Sequence, residues 1–356
     1  MMFVGLTGVA CAIITACETS VQGDEQWSSR EFVPAEPLAT VEPTLAPAPT
    51  ASPAPAMTLD QMKSSALDVL YQAADSGNPL MLANAIEAMK AYPDGIRPIV
   101  RRGLVAENRG VRFVSAMVVG ELQLKDMQPL VEPLMLDESD SVRAAAMYAK
   151  QQFGANVDLS PLATMLRSES AEVKGNAAFV LGELGEPSAI PMLRQSMGRG
   201  LARESTTRAR IVDLQIAEAL VKLGADQHLD GIRSALFSPA EQAELILLAC
   251  QICGDLEVRG AVADLHNLAN RTGDRELPPE VRLAAALALA RIDASSAPIN
   301  VPLGYATDDR PDLRAQAAVA LGATGSRQTL PALRTLMSDS SEAVRVSAAG
   351  GILQIR

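Results

Sequence analysis

The chain has 356 residues, of which 48% are hydrophobic but only 3% aromatic, and its formal net charge is −11. This composition favours closely packed helices over β-sandwiches, which need Val, Ile, Thr and aromatic residues. The acidic charge argues against a general affinity for nucleic acid, and only two histidines, His228 and His266, are present for metal or acid–base chemistry. At this length the chain could hold two ordinary domains or one elongated array.

Residues 1–16 are predicted to be a signal peptide. Phe3–Thr15 is apolar and about 13 residues long, whereas crossing a bilayer takes roughly 20 residues. This stretch ends in Ile14-Thr15-Ala16-Cys17, which resembles the lipobox of bacterial lipoproteins, although no Lys or Arg precedes it. The resemblance implies that Cys17 is lipidated, becomes the mature N-terminus and anchors the chain in the bacterial cell envelope. An ordinary secretory signal with an incidental Cys17 is the alternative.

Residues 17–57, which begin with the lipidated Cys17, are predicted to form a disordered linker. Seven prolines lie among Ala and Thr residues without a sustained apolar period, so the segment cannot offset its ordering entropy. Six acidic residues and one Arg give residues 18–57 a net charge of −6 + 1 = −5. We expect a passive stalk that holds a folded body away from the membrane.

A repeated pattern runs through residues 58–356. The basic residues Arg112, Arg143 and Lys174 lie 31 positions apart (143 − 112; 174 − 143), and so do Arg314 and Arg345. A fixed period in this range indicates a stacked-repeat architecture. The repeated phrase is an aliphatic residue, a basic residue and then an Ala pair, as in Val142-Arg143 with Ala145-Ala146, Val281-Arg282 with Ala285-Ala286, and Val344-Arg345 with Ala348-Ala349.

Each repeat is predicted to be a pair of helices. Prolines such as Pro129 begin first helices, acidic or Ser-rich turns such as 137–141 cap second helices, and glycines such as Gly185 end them. The predicted fold is all-α: an α-solenoid of about nine stacked hairpins over 58–356, preceded by the linker. Since one hairpin cannot bury its apolar face alone, we expect a single elongated, curved array. The hairpins are predicted to begin near residues 58, 94, 126, 158, 187, 226, 257, 297 and 326.

The unit resembles the HEAT repeat, especially its short bacterial, lyase-like type. In that family an Asp in the turn and an Arg in the second helix form a ladder between neighbouring units. The resemblance therefore implies a structural ladder that also includes Lys174, broken where Ala106, Ser168 and Asp213 depart from the pattern. An acidic residue precedes the basic one by six positions in Asp137/Arg143, Glu276/Arg282, Asp308/Arg314 and Asp339/Arg345.

The repeat is lengthened after its fourth unit. The equivalent residues Leu181 and Leu220 lie 39 positions apart, and the added segment contains Gly198 and Gly200, which imply a loop. Five arginines and Glu204 give residues 194–210 a net charge of 5 − 1 = +4. This basic segment could bind a carboxylate-rich partner or an anionic headgroup or polymer; alternatively, it pairs with the acidic residues of its own repeats. The arginines are Arg194, Arg199, Arg203, Arg208 and Arg210.

Cys250 and Cys253 form a CxxC sequence within a predicted helix. Redox CxxC pairs usually begin a helix after a strand, so a buried pair of thiols is favoured over a disulfide or a redox centre. The sequence contains no phosphate-binding Gly loop, nucleophile elbow or zinc-protease motif, and no cofactor or metal is predicted.

These features predict a non-catalytic, lipid-anchored extracytoplasmic scaffold that binds protein partners on its solenoid surface. One alternative is an enzyme, because some short HEAT-type relatives are chromophore lyases, isomerases or hydroxylases and the fold does not decide between them. Another is a purely structural spacer in the envelope. The concave face is expected to present, beside the basic segment, the partner-binding residues Glu121, Glu183, Glu218 and Lys222.

Overall fold

The computed structural model describes residues 57–271 and 277–356, which form helices and contain no strand. The described residues form eighteen α-helices in nine hairpins, so the predicted all-α solenoid is confirmed. The first helices are α1 (Leu59–Asp75), α3 (Pro93–Leu104), α5 (Gln128–Val131, continued by a 3-10 segment, Glu132–Leu136), α7 (Ser160–Met165), α9 (Ile190–Ser196), α11 (Leu229–Ala235), α13 (Val262–Asn270), α15 (Asn300–Tyr305) and α17 (Leu330–Leu336). The second helices are α2 (Pro79–Ala88), α4 (Arg109–Glu121), α6 (Asp140–Gln152), α8 (Ala171–Leu184), α10 (Thr206–Lys222), α12 (Ala243–Asp255), α14 (Pro279–Ile292), α16 (Pro311–Ala323) and α18 (Glu342–Gln354).

Local sequence explains where second helices begin and end. The side chains of Ser170 and Ser205 accept hydrogen bonds from the backbone N–H groups three residues ahead, which satisfies donors that the helix itself cannot pair. Pro279 and Pro311 occupy first helical positions, where a missing N–H costs nothing. Gly185 ends α8 in the left-handed conformation, with φ of 71°.

The core lies along a seam where second helices touch one another. A Cβ atom on Gly182 would lie 2.9 Å from the Cα atom of Ala219, and one on Gly254 would lie 3.0 Å from the Cα atom of Ala288. Only small residues permit backbones to approach so closely. Each of these contacts joins the last turns of consecutive second helices, so these helices run in parallel.

The array closes on itself. The last helix, α18, packs against α1 and α2, and a Cβ atom on Gly350 would lie 2.9 Å from the Cβ atom of Ala88. One continuous hydrophobic core includes Leu70 at the beginning of the array and Ile352 at its end. The expected elongated form is therefore wrong: the rotation between successive hairpins adds up to a full turn, and the nine hairpins form a ring.

The ring has two edges that differ chemically. We call the edge at which second helices begin the N-edge, and the edge at which they end the C-edge. The N-edge carries the turns between first and second helices, and the C-edge carries the connections between hairpins. Since the second helices are parallel, residues at equivalent positions of the repeat lie on the same edge.

Candidate functional site: the two charged edges of the ring

Ion pairs join neighbouring hairpins at the C-edge. Lys90 Nζ lies 2.5 Å from Glu121 Oε2, which connects the first and second hairpins. Lys222 Nζ lies 2.6 Å from Glu183 Oε1 and 2.7 Å from Glu218 Oε1, which connects the fourth and fifth. Farther around the ring, Arg291 Nη1 lies 2.5 Å from Asp255 Oδ1.

These pairs form one group, because they influence one another across the ring. Glu183, in the fourth hairpin, acts electrostatically on Lys90 in the first and on Tyr148 in the third. Asp255, in the sixth hairpin, acts on Glu218 in the fifth. We call the group the central cluster; its five acidic and three basic residues carry a net charge of −5 + 3 = −2. Its members are Glu87, Lys90, Glu121, Glu183, Glu218, Lys222, Asp255 and Arg291.

Lys222 is the main cation of the central cluster. Burial raises the pKa of Glu218, and the positive charge of Lys222 opposes that rise. Burial by itself would lower the pKa of Lys222, but Glu218 and Glu183 together raise it above the ordinary value for lysine. The ammonium group also lies 5.3 Å from the centre of the Phe179 ring, within range of a cation–π interaction. Lys222 is therefore held in its charged form by contacts within the protein.

The structural ladder lies at the N-edge. Its carboxylates do not pair with the arginine six positions later in the sequence. The Asp137 carboxylate accepts two hydrogen bonds from Arg112 of the preceding hairpin, at 2.8 and 3.0 Å. Arg143, six positions after Asp137, instead donates to the backbone carbonyl of Asp137 at 2.6 Å. Thus the carboxylate connects adjacent hairpins, while the six-residue spacing reflects a contact with the main chain.

The same arrangement recurs at the end of the array. Arg314 donates to both carboxylate oxygens of Asp339, at 2.7 and 2.9 Å, and also to the carbonyl of Asp308 at 2.7 Å. Arg345 donates to the carbonyl of Asp339 at 2.8 Å. Hydrogen bonding from Arg314 lowers the pKa of Asp339.

Elsewhere the ladder is replaced by other contacts. Arg143 has Ser168 at the position of its next rung and pairs with Asp140 in its own hairpin. Lys174, only 2% exposed, donates to the carbonyl of Arg199. Arg282 donates to the Tyr305 hydroxyl at 2.8 Å and to the carbonyl of Ala269 at 3.2 Å. The predicted ladder residue Glu276 lies outside the described residues.

The basic segment also lies at the N-edge, between α9 and the first turns of α10. Asp213 does not continue the ladder; its carboxylate accepts a hydrogen bond from the N–H of Gly198 at 2.8 Å and supports this loop. Arg203 reaches only 3.7 Å from Glu169, and both side chains are exposed. Arg208 lies near Glu172. Of the five arginines, four are exposed: Arg194, Arg199, Arg203 and Arg210.

The structure separates two groups that we expected to lie side by side. Glu121, Glu183, Glu218 and Lys222 lie together in the central cluster, at the C-edge. The basic segment lies at the opposite edge, since Arg208 and Lys222 are fourteen residues apart on one helix, or about 21 Å. One partner-binding surface that combines both groups at close range is therefore ruled out.

The cysteines of the CxxC sequence lie in the core of the array. Cys250 and Cys253 are buried free thiols on α12, as predicted, and burial raises the pKa of Cys253 to about 12.

Within the described residues no group of three or more His, Cys, Asp or Glu side chains could hold a metal ion. No helix in the described ranges combines the length and apolar character needed to cross a membrane. The predicted lipidation site, Cys17, lies outside those ranges.

Comparison with known protein families finds HEAT-type repeats in two parts of the chain. Residues 299–356 match a family described as HEAT repeats, and residues 173–198 match one described as PBS lyase HEAT-like repeat. No curated protein matches the chain in sequence.

Solved structures that match the chain include two that resemble it only weakly. Human deoxyhypusine hydroxylase in complex with glycerol is 14% identical, with 83% of this chain and 95% of that chain covered and a TM-score of 0.34. An engineered protein is 16% identical, with 84% and 86% covered and a TM-score of 0.31. Similarity at this level carries no argument about function.

Sequence reasoning missed half of the central cluster. Glu87, Lys90, Asp255 and Arg291 were not among the predicted site residues, although each forms an ion pair at the C-edge. One signal could have found Asp255: a glycine followed by an acidic residue lies in the last turn of three second helices. These pairs are Gly120-Glu121, Gly182-Glu183 and Gly254-Asp255.

Proposed function

We propose that the protein is a non-catalytic scaffold, attached to the bacterial cell envelope through a lipid on Cys17, that binds a protein partner at its N-edge. The exposed arginines of the basic segment carry this proposal, because they form a local positive surface on an acidic chain. Arginine binds carboxylates through paired hydrogen bonds, so a carboxylate-rich partner fits this surface best.

The contrast between the two edges supports the choice of the N-edge. In the central cluster, Lys222 is held by Glu183 and Glu218 and is largely buried. Arg199, in contrast, is exposed and has no side-chain ion pair among the described residues. A charge already satisfied inside the protein has little left to offer a partner, whereas an exposed arginine retains its donors.

Membrane attachment is tested by replacing the predicted lipidation site. In Cys17→Ser we expect the protein to leave the membrane fraction, because one hydrophobic stretch of about 13 residues is too short to span a bilayer. Fractionation with a matched Cys250→Ser control measures this. An unchanged membrane pool in Cys17→Ser would refute lipid anchoring.

Partner binding is tested by cross-linking and affinity purification of the detergent-extracted full chain. A stoichiometric protein should co-purify with the wild type and be reduced at least several-fold in an Arg199→Glu/Arg203→Glu double variant. Arg334→Glu is the matched control, because Arg334 is exposed on α17, far from the basic segment along the ring. Equal capture by all three proteins would show that the basic segment is not the binding site.

A further inference from the structure

Among the described residues, six large hydrophobic side chains are exposed, and three of them lie on the N-edge. Val105 is 66% exposed, Leu136 is 89% exposed and Phe237 is 68% exposed. Val105 and Phe237 follow the ends of first helices, and Leu136 is the last residue of a 3-10 continuation, so each lies at the turn that leads to the second helix. Their shared place in the hairpin makes them a feature of one surface.

The repeat period connects these apolar residues to the basic segment. Val105, Leu136 and Arg167 occupy the same position of three consecutive hairpins, 31 residues apart (136 − 105; 167 − 136), and Arg167 is exposed. The basic segment follows in the fifth hairpin, and Phe237 lies in the sixth. An arc over five consecutive hairpins thus places three arginines between two apolar side chains on one side and Phe237 on the other. Arginine and aromatic residues are enriched at protein interfaces. We call this surface the N-edge arc: Val105, Leu136, Arg167, Arg199, Arg203 and Phe237.

A segment of the same chain has the complementary chemistry. Residues 24–38 read DEQWSSREFVPAEPL and lie outside the described residues. Four acidic residues and Arg30 give the segment a net charge of −4 + 1 = −3, and Trp27 is the only tryptophan in the protein. Phe32, Val33 and Leu38 supply further apolar side chains. The segment thus combines acidic and apolar side chains, whereas the N-edge arc combines arginines and apolar side chains.

The intervening chain is long enough to connect the two. Leu38 lies nineteen residues before Met57, where the described structure begins, which allows a reach of about 60 Å when extended. Nine second helices about 9 Å apart give a ring about 45 Å across with its outer helices included. Any point of the N-edge is therefore accessible. A tether of this kind supplies an effective concentration in the millimolar range, so that weak contacts are enough for binding.

We propose that residues 24–38 dock on the N-edge arc of the same molecule, with their carboxylates at Arg167, Arg199 and Arg203 and with Trp27 and Phe32 against the exposed apolar side chains. Docking covers the surface to which we assign partner binding, so an acidic partner must displace the chain's own segment. This consequence rests on the proposed function; the docking itself depends on neither a partner nor a lipid anchor.

Trp27 reports directly on docking, because no other tryptophan contributes to the fluorescence of the full chain. In detergent at low salt, we expect the emission of Trp27 to be blue-shifted. A site with a millimolar dissociation constant is about half occupied at a millimolar effective concentration. Quenching by acrylamide should therefore be about twofold weaker than for an exposed tryptophan. High salt should remove most of this protection, because it screens the charged contacts.

Matched variants assign the contact to the N-edge arc. Arg199→Glu/Arg203→Glu should expose Trp27, because the new glutamates repel the acidic segment. Leu136→Ser/Phe237→Ser should expose it without any change of charge. Arg334→Glu should leave the emission unchanged. Far-ultraviolet circular dichroism confirms that each variant retains its helices.

Two outcomes would overturn the proposal. Emission and quenching that are the same in the wild type, both N-edge variants and high salt would show that Trp27 does not contact the arc. Protection that disappears on dilution would show docking between molecules rather than within one. Failure to capture a partner would leave the fluorescence result unaffected, so the two proposals fail separately.

Discussion

Both edges of the ring carry charged side chains but use them differently. At the C-edge, Lys222 and Glu218 are buried against each other, and the charges connect neighbouring hairpins. At the N-edge, Arg112 and Asp137 do the same, whereas Arg199 and Arg203 project into solvent. Charge in a repeat sequence is therefore not in itself a sign of a binding surface: its position in the hairpin decides whether it holds the ring together or remains available.

The comparison is tested most strongly at Lys222. Lys222→Met leaves Glu218 buried without its main partner, and we expect a loss of about 3–5 kcal/mol in the free energy of unfolding. Chemical denaturation measures the loss. Glu218→Gln in the same background should restore part of it, whereas Lys150→Met, which removes an ion pair to the more exposed Glu132, should cost far less. Equal losses at Lys222 and Lys150 would contradict a special role for the central cluster.

The N-edge ladder provides the second test. Asp137→Ala leaves Arg112 largely buried without its carboxylate, so we expect a loss of about 3 kcal/mol in unfolding free energy. Glu138→Ala is the control, because Glu138 is exposed and comes no closer than 3.6 Å to Arg112. This substitution should change stability by less than about 0.5 kcal/mol. If the two variants unfold alike, the carboxylate rung does not connect the hairpins.

The rung between Arg314 and Asp339 should make the stability of the protein sensitive to acid. Hydrogen bonds from Arg314 lower the pKa of Asp339 in the folded protein. The stability that this carboxylate contributes is therefore fully present above the pKa of about 3.9 that Asp has in the unfolded chain. It is lost as the pH falls through the lower pKa of the folded state. Asp339→Asn should reduce stability at pH 7 by about 1–2 kcal/mol and flatten the loss of stability below pH 4. Asp308→Asn, at a carboxylate without an arginine rung, should leave that acid dependence unchanged.

A missing rung can be added. Ser168→Asp places a carboxylate 25 residues after Arg143, the spacing that separates Arg112 from Asp137 and Arg314 from Asp339. We expect a gain of about 1 kcal/mol in unfolding free energy as Arg143 turns from Asp140 to the new carboxylate. Denaturation at low and high salt measures it, and a loss of stability at both would show that the fourth hairpin cannot accept a rung.

The smallest effect on stability is expected at the exposed arginines. Arg199→Glu/Arg203→Glu should change the free energy of unfolding by less than about 0.5 kcal/mol, because neither side chain is held by a short ion pair. The same denaturation experiment measures it. A large loss would mean that the basic segment stabilises the ring and would remove its distinction from the central cluster.

Sequence alone predicted the hairpins well because their signals are local. Prolines such as Pro311 begin helices, serines such as Ser170 cap them, and the 31-residue period places Arg112 and Arg143 at equivalent positions. Closure of the ring could not be predicted in this way, since it depends on small rotations summed over nine hairpins. The central cluster was only half predicted for the same reason: Lys90 and Glu183 are 93 residues apart in sequence, and only the ring brings them together.

Closure of the ring also fixes the number of repeats. An open solenoid can gain or lose a unit and needs polar terminal caps to protect its exposed ends. Here α18 covers α1 and α2, so neither end requires a cap. Each hairpin must turn by about 40° for nine units to complete a circle. Duplication or deletion of a single hairpin would leave a gap or an overlap, so this protein can change its surface by lengthening turns, as in the basic segment, but not by adding units.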